Sequence, residues 1–183
     1  MKLQPQNTPE LARLGDLIEG MPVAMMVTLD DTGELAARPM TTLEMDANGA
    51  LWFFTDLRST KLAQLQAVNL SYADSGKSSY VSFSGQGHID TDAVRIQELW
   101  TPWAKPWFPE GPASPDLALL KFVPRQGEFW DASSSRMVRL FAMVASIVAG
   151  KPVAMGDHDR YADLNDRANV GQAKRAPSTA SGA

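Results

Sequence analysis

The chain has 183 residues, of which 44% are hydrophobic and 21% charged; that is the size of one ordinary domain, with material for a core and too apolar for global disorder. A formal net charge of −4 and a pI near 5.1 argue against a nucleic-acid binder, which needs clustered Lys and Arg, but not against a phosphate-bearing small molecule held by a few local cations. The chain has no cysteine and only two histidines, His88 and His158, so disulfides, thiolate metal sites and cysteine nucleophiles are excluded and a histidine metal site or triad has little material.

The N-terminal residues Met1-Lys2-Leu3-Gln4-Pro5-Gln6-Asn7 have no apolar run of the signal-peptide kind. Thr8-Pro9-Glu10 reads as a helix start, with an N-cap hydroxyl, Pro in the first turn and an acid at the positive end of the dipole. Leu11, Leu14, Leu17 and Ile18 follow at helical spacing, and Gly20-Met21-Pro22 ends the helix. Val23 to Leu29 is an apolar strand closed by the turn Asp30-Asp31-Thr32-Gly33, and Leu35 to Thr42 is its hairpin partner. Leu43-Glu44-Met45 leads to Asn48-Gly49, a hairpin signal, and then to the aromatic strand Leu51 to Thr55.

After a polar break at Asp56 to Ser59, Lys61 to Gln66 reads as a short helix with Leu62 and Leu65 inward. Asn69 to Ala73 and Tyr80 to Ile89 are strands, and Asp92 to Trp100 a helix. Trp100 to Pro115 is irregular, crowded with Trp and Pro. Leu117 to Val123 and Gly127 to Trp130 are read as two last strands, and Ser135 to Ala149 as a closing helix. The apolar stretch Met137 to Ala149 is too short to span a bilayer and carries Arg139, so no membrane partner and a cytoplasmic location are expected. Strands joined by hairpins, with short helices between them, predict a mainly β fold: an antiparallel β-barrel with peripheral helices, since closure removes exposed edges. The domain is expected over residues 1–155, and 156–183 as a polar C-terminal tail, partly disordered.

Two features carry chemistry. Arg38 sits mid-strand, beside Pro39, which cannot donate to a ladder and so marks an edge or bulge that a ligand can approach. Alone, such an Arg is as often simply solvated. The second feature is Thr55-Asp56-Leu57-Arg58-Ser59-Thr60-Lys61, which brings hydroxyls, two cations and amides to a helix start, a setting suited to phosphate. Hydroxyl-rich helix starts are also common caps.

Together these segments resemble the FMN-binding split barrel of the pyridoxamine-phosphate oxidase family, and most of all its general stress protein branch. The matching residues are Arg38-Pro39-Met40-Thr41, Trp52-Phe53-Phe54-Thr55, Ser59-Thr60-Lys61, Tyr80 to Gly85, Glu128-Phe129-Trp130-Asp131 and, for the general stress branch, Trp107 to Pro112 with Pro115-Asp116. The resemblance implies a six-stranded antiparallel split barrel that binds FMN at the interface of a homodimer. It implies that Arg38 and Lys61 hold the phosphate, that Ser59 and Thr60 donate to it, and that Met40, Phe54 and Thr55 line the ribityl chain and ring. Pro39 and Thr41 belong to the same strand segment, and Trp130 or the Trp103–Phe108 loop would reach the flavin of the other subunit; core or dimer packing explains these Trp residues equally well. The oxidase carries a substrate-binding Lys where this chain has Leu43, and a His where it has Val138, although Arg136 fits the Arg between. Those departures speak against vitamin B6 oxidation and leave FMN binding untouched.

Weaker signals point elsewhere. Gly76-Lys77-Ser78 echoes the end of a P-loop, but Ser71 stands where the upstream Gly is required. Asp56, Asp74, Asp90 and Asp92 lie near turns, where Asp is expected for local hydrogen bonds, and no metal is predicted. His88 reads as structural, and Asp159 to Arg167 as a solvated face. Two functions stay open: a flavin-dependent oxidoreductase of unknown substrate, or a non-catalytic protein that stores or senses flavin. A deazaflavin would suit the same cluster, and haem less so, with so few histidines.

Overall fold

The computed structural model of the chain describes residues 1–59, 64–131 and 157–162, with Asp131 and 157–162 described by backbone alone. Strand β1 (Lys2–Leu3) precedes helix α1 (Pro9–Glu19), which starts as expected: Thr8 accepts from the Leu11 N–H and Pro9 lies in the first turn. Leu11, Leu14 and Ile18 form its buried stripe. Strands β2 (Val23–Leu29), β3 (Leu35–Thr41), β4 (Glu44–Met45) and β5 (Leu51–Asp56) follow, with Gly33 and Gly49 at positive φ in two of the turns. Then come β6 (Val68–Asp74), β7 (Ser79–Asp90), helix α2 (Ala93–Leu99), two single 3-10 turns at Pro102–Ala104 and Gly111–Ala113, β8 (Leu117–Asp131) and β9 (Asp157–Ala162).

The strands form one curled sheet in the order β1-β4-β5-β8-β7-β6-β2-β3, with β9 added to β8. Every pairing is antiparallel except β1 with β4. The curl brings β3, the last strand of the path, back against β5. The wall is therefore a split barrel of six strands as expected, β2, β3, β5, β6, β7 and β8; β1, β4 and β9 raise the count in the sheet to nine among the described residues.

One sequence expectation is corrected. Leu117–Val123 and Gly127–Trp130 are a single strand, paired with β7 from Leu119 to Asp131. Pro124 tempts a break because it cannot donate, but the register shifts at Ser84/Gly85 and that bulge absorbs it. Gly85 makes this possible: a Cβ there would lie 2.2 Å from the Val123 carbonyl oxygen. β9 falls within the stretch expected to be a polar tail. Of the short helix expected over Lys61–Gln66, Leu62 and its neighbours up to Ala63 lie outside the described residues, as does the closing helix expected over Ser135–Ala149; Leu65 is buried.

Two apolar clusters hold the fold. The larger fills the barrel, where Leu11, Leu14 and Ile18 of α1 meet Met26, Phe53, Leu70, Phe83, Phe122 and Phe129. The smaller lies outside β5, where Trp52, Leu117 and Leu119 are covered by Ile96 and Leu99 of α2 and by Ala104 and Phe108 of the loop after it. β5 is thus covered on both faces, which is why Leu51-Trp52-Phe53-Phe54 is apolar without alternation.

Candidate functional site: the seam between β3 and β5

Among the described strands β3 has one ladder partner, β2, and Pro39 lies on it opposite Met25. β5 pairs with β8 along its whole length but with β4 only at Leu51 and Trp52. Among the described strands, the stretch of β5 from Phe53 to Asp56 therefore has an edge with no ladder, and it faces β3. Two open backbone edges along one seam offer N–H and C=O groups to a ligand in the manner of a sheet accepting a further strand.

The register fixes which side chains point inward. Arg38 stands opposite Met26, Met40 opposite Ala24 and Ala36 opposite Thr28; these partners are fully buried, so Arg38 is aimed at the barrel interior with Met40 beside it. The Nη1 of Arg38 is buried and has no hydrogen-bond partner among the described residues. The hydroxyls of Thr28 and Thr55, both buried, likewise have no partner among the described residues. Buried donors of this kind are costly unless something satisfies them. The burial of Thr28 carries no sequence signal, since it is one polar position in an apolar run.

The remaining expected residues separate. Pro39 and Thr41 face outward and are exposed. Phe54 also points outward, half-buried, with its ring 5.7 Å from Trp100 and 6.4 Å from Phe108. Ser59 donates its N–H to the Asp56 carbonyl at 3.0 Å. Thr60 and Lys61 lie outside the described residues. Arg58, the cation counted beside Lys61 in the sequence, is engaged: it donates to Asp56 at 2.7 and 3.1 Å and reaches Asp116 at 3.3 Å. The hydrogen bond to Asp56 and then the charge of Asp116 hold its guanidinium above its ordinary value. Trp130 is beyond Phe122, the last β8 residue paired with β5, and stands opposite Tyr80 on the outer face; one chain does not bring it to the seam.

Beside the seam lies an unexpected charge cluster. Glu44 is fully buried and accepts from Gln4 at 2.6 Å and Arg95 at 2.5 Å, with Lys2 at 3.7 Å. Arg95 also lies over the Trp52 ring at 5.0 Å and donates to Glu98. An acid in a two-residue strand carries no sequence signal of such a role. An open groove of about 550 Å³ beside β2 and β6, lined by Val27, Thr28, Leu35, Asn69 and Arg125, contains none of the expected site residues. Among the described residues no three His, Asp or Glu gather as for a metal ion, and no helix is long and apolar enough to cross a membrane.

Comparison with known proteins agrees with this architecture. Protein bli-3 of Neurospora crassa is 28% identical over 146 residues, spanning 72% of this chain and 69% of that protein. A general stress protein 26 from a Jannaschia species superposes with a TM-score of 0.65 at 25% identity, covering 85% of this chain and 99% of that one. The general stress FMN/FAD binding protein of Xanthomonas citri superposes with a TM-score of 0.60 at 29% identity, over 70% and 93% of the two chains. Residues 9–154 match the family model described as pyridoxamine 5'-phosphate oxidase like, and the chain belongs to that family.

Proposed function

We propose that the chain binds FMN in the seam between β3 and β5 and acts as a flavin-dependent oxidoreductase of the general stress type. The observation that carries this reading is Arg38: a cation aimed inward from an edge strand, with a buried nitrogen that no group among the described residues satisfies. A phosphate dianion would satisfy it, and charge-assisted bonds of this kind contribute about 1.5–3 kcal/mol each. Lys61, Thr60 and Ser59 would complete the phosphate site, and Met40, Phe54 and Thr55 would line the ribityl chain and ring. The bound FMN would supply the electron-transfer chemistry; the protein's part is to hold and orient it. The likeness to an FMN/FAD binding protein supports a flavin.

A homodimer, with the flavin at its interface, is supported by the outer face of the β2–β3 hairpin. Val23, Met25, Leu29 and Leu35 are exposed there, while Ala24, Met26 and Thr28 fill the inner face. A strand apolar on both faces belongs between two layers, and a second copy would supply the missing one. Trp130, on the same side of the sheet as Tyr80, would then reach the partner's flavin. The protein would work in the cytoplasm.

A second reading, flavin storage or sensing without turnover, is favoured by Leu43. Where the oxidase places a lysine, this chain packs an apolar side chain against the cluster that includes Phe54 and Trp100. The visible spectrum of the purified protein, with and without added FMN, tests the shared core. We expect a bound-flavin spectrum that is lost in Arg38→Ala/Lys61→Ala; a protein indifferent to FMN would overturn both readings. Reduction by a nicotinamide donor and reoxidation by an acceptor, faster than for free FMN, would then separate enzyme from store.

A further inference from the structure

Arg125 has no partner across the β7–β8 ladder. Ser84 faces Gln126 and Gly85 faces Pro124, so Arg125 is the extra residue of the bulge, and a bulge takes a side chain out of the strand's alternation and re-aims it. Arg125 lines the open groove beside β2 and β6, whose volume of about 550 Å³ is that of a small-molecule site. Among the described residues no carboxylate pairs with Arg125, and none lines the groove. The amides beside it are closed on their neighbours: Asn69 donates to Ser82 at 2.8 Å and to Ser84 at 3.3 Å, and Gln86 donates to Gln66 at 3.2 Å. On a chain of net charge −4, this groove therefore offers a cation that asks for an anion.

The opposite wall is aliphatic. Leu29 and Leu35 face each other across the β2–β3 ladder, 40% and 74% exposed, with Val27 beside them. No aromatic ring lines the groove, so nothing there stacks on a planar ligand, and a single cation matches a monoanion better than a phosphate dianion. β7 and β6 separate β8 from β2; those three strand spacings span about 14 Å, roughly the reach of a twelve-carbon chain. We propose that the groove binds a fatty carboxylate of about that length, with its head on Arg125 and its chain along Val27, Leu29 and Leu35. None of the residues proposed to hold flavin lines it, so the site needs no flavin.

Titration calorimetry of the full chain with dodecanoate, below its micelle concentration, tests this, with dodecanol and dodecyltrimethylammonium as the neutral and cationic comparators. We expect saturable binding of dodecanoate, one per chain, with dodecanol about tenfold weaker for want of the charge-assisted bond and the cation weaker still. Arg125→Gln should weaken dodecanoate about tenfold and leave dodecanol unchanged, and Arg125→Lys should restore most of the loss. Leu29→Asn should weaken both ligands, and Val94→Ala, an exposed change on α2, should bind as the parent does. Equal binding of all three ligands, or an unchanged affinity for dodecanoate in Arg125→Gln, would overturn the site. So would mutual displacement of dodecanoate and FMN, which would make the groove part of the flavin's seat. A second copy seated on the aliphatic wall predicts no dodecanoate binding and a dimer that Leu35→Asn splits, and that result would overturn it too. Dodecanoate binding by a protein that shows no flavin spectrum would leave the site standing and remove only the flavin reading.

Discussion

Arg38 stands directly across the β2–β3 ladder from Met26, so the chain sets a cation against a fully buried thioether on the inward face of its barrel. That placement costs stability unless a ligand answers it. Replacing Arg38 with Met should therefore act in opposite directions on two measurements. Without FMN the free energy of unfolding should rise by about 1 kcal/mol for relief of one unsatisfied group, read as a higher denaturant midpoint. FMN affinity should fall roughly ten- to hundredfold. A variant less stable than the parent, with FMN binding intact, would make Arg38 a structural residue.

The buried hydroxyls of Tyr72 and Thr42 share a hydrogen bond of 2.7 Å, and burial pushes the phenol well above its ordinary value. Tyr72→Phe leaves Thr42 unsatisfied and should cost about 1–2 kcal/mol. The double variant Tyr72→Phe/Thr42→Val should cost less than the sum of the two single changes, because it removes both partners together. Urea unfolding of the four proteins reads the coupling directly.

Gly85 sits where β8 carries Pro124, and an added Cβ would meet the Val123 carbonyl at 2.2 Å. The obstacle is backbone on both sides, so a side-chain shift cannot relieve it. Gly85→Ala should destabilise by about 3 kcal/mol, at the upper end of overpacking costs. Gly33→Ala tests a different cost: that glycine has open space around it, and only its positive φ would be strained.

Glu44 joins β1, β4 and α2 through one carboxylate. Glu44→Ala would leave Arg95, largely buried, facing no opposite charge but Glu98, and should cost about 3 kcal/mol. Because Arg95 and Trp52 meet at 5.0 Å, the loss should also loosen α2, and amide exchange over Ala93–Leu99 should accelerate more than over β7.

Much of the fold was legible because local chemistry and global fold agree. Thr8-Pro9 starts α1, Asn48-Gly49 turns the hairpin into β5, and Asp92 caps α2 through the Val94 and Arg95 N–H groups. The division of β8 was misread because a proline's effect depends on its partner strand, and the glycine that accommodates it lies far away in sequence. In the seam, the identity of Arg38 was legible but its inward direction was not: that follows from pairing with Met26. The engagement of Arg58 by Asp116 was hidden for the same reason, since it joins residues distant along the chain.

β8 pairs with β7 throughout most of its length, with β5 through its first half and with β9 through its second. During synthesis this strand is made long after β5, whose Leu51-Trp52-Phe53-Phe54 run must wait for Leu119 to Phe122 to appear. A ribosome-bound chain halted before Leu117 thus displays an aromatic edge with no ladder on its β8 side, an open invitation to pairing between nascent chains. For this family member, the hazardous interval in the cell runs from the emergence of β5 to the arrival of β8, and a chaperone that shields β5 need act only until then.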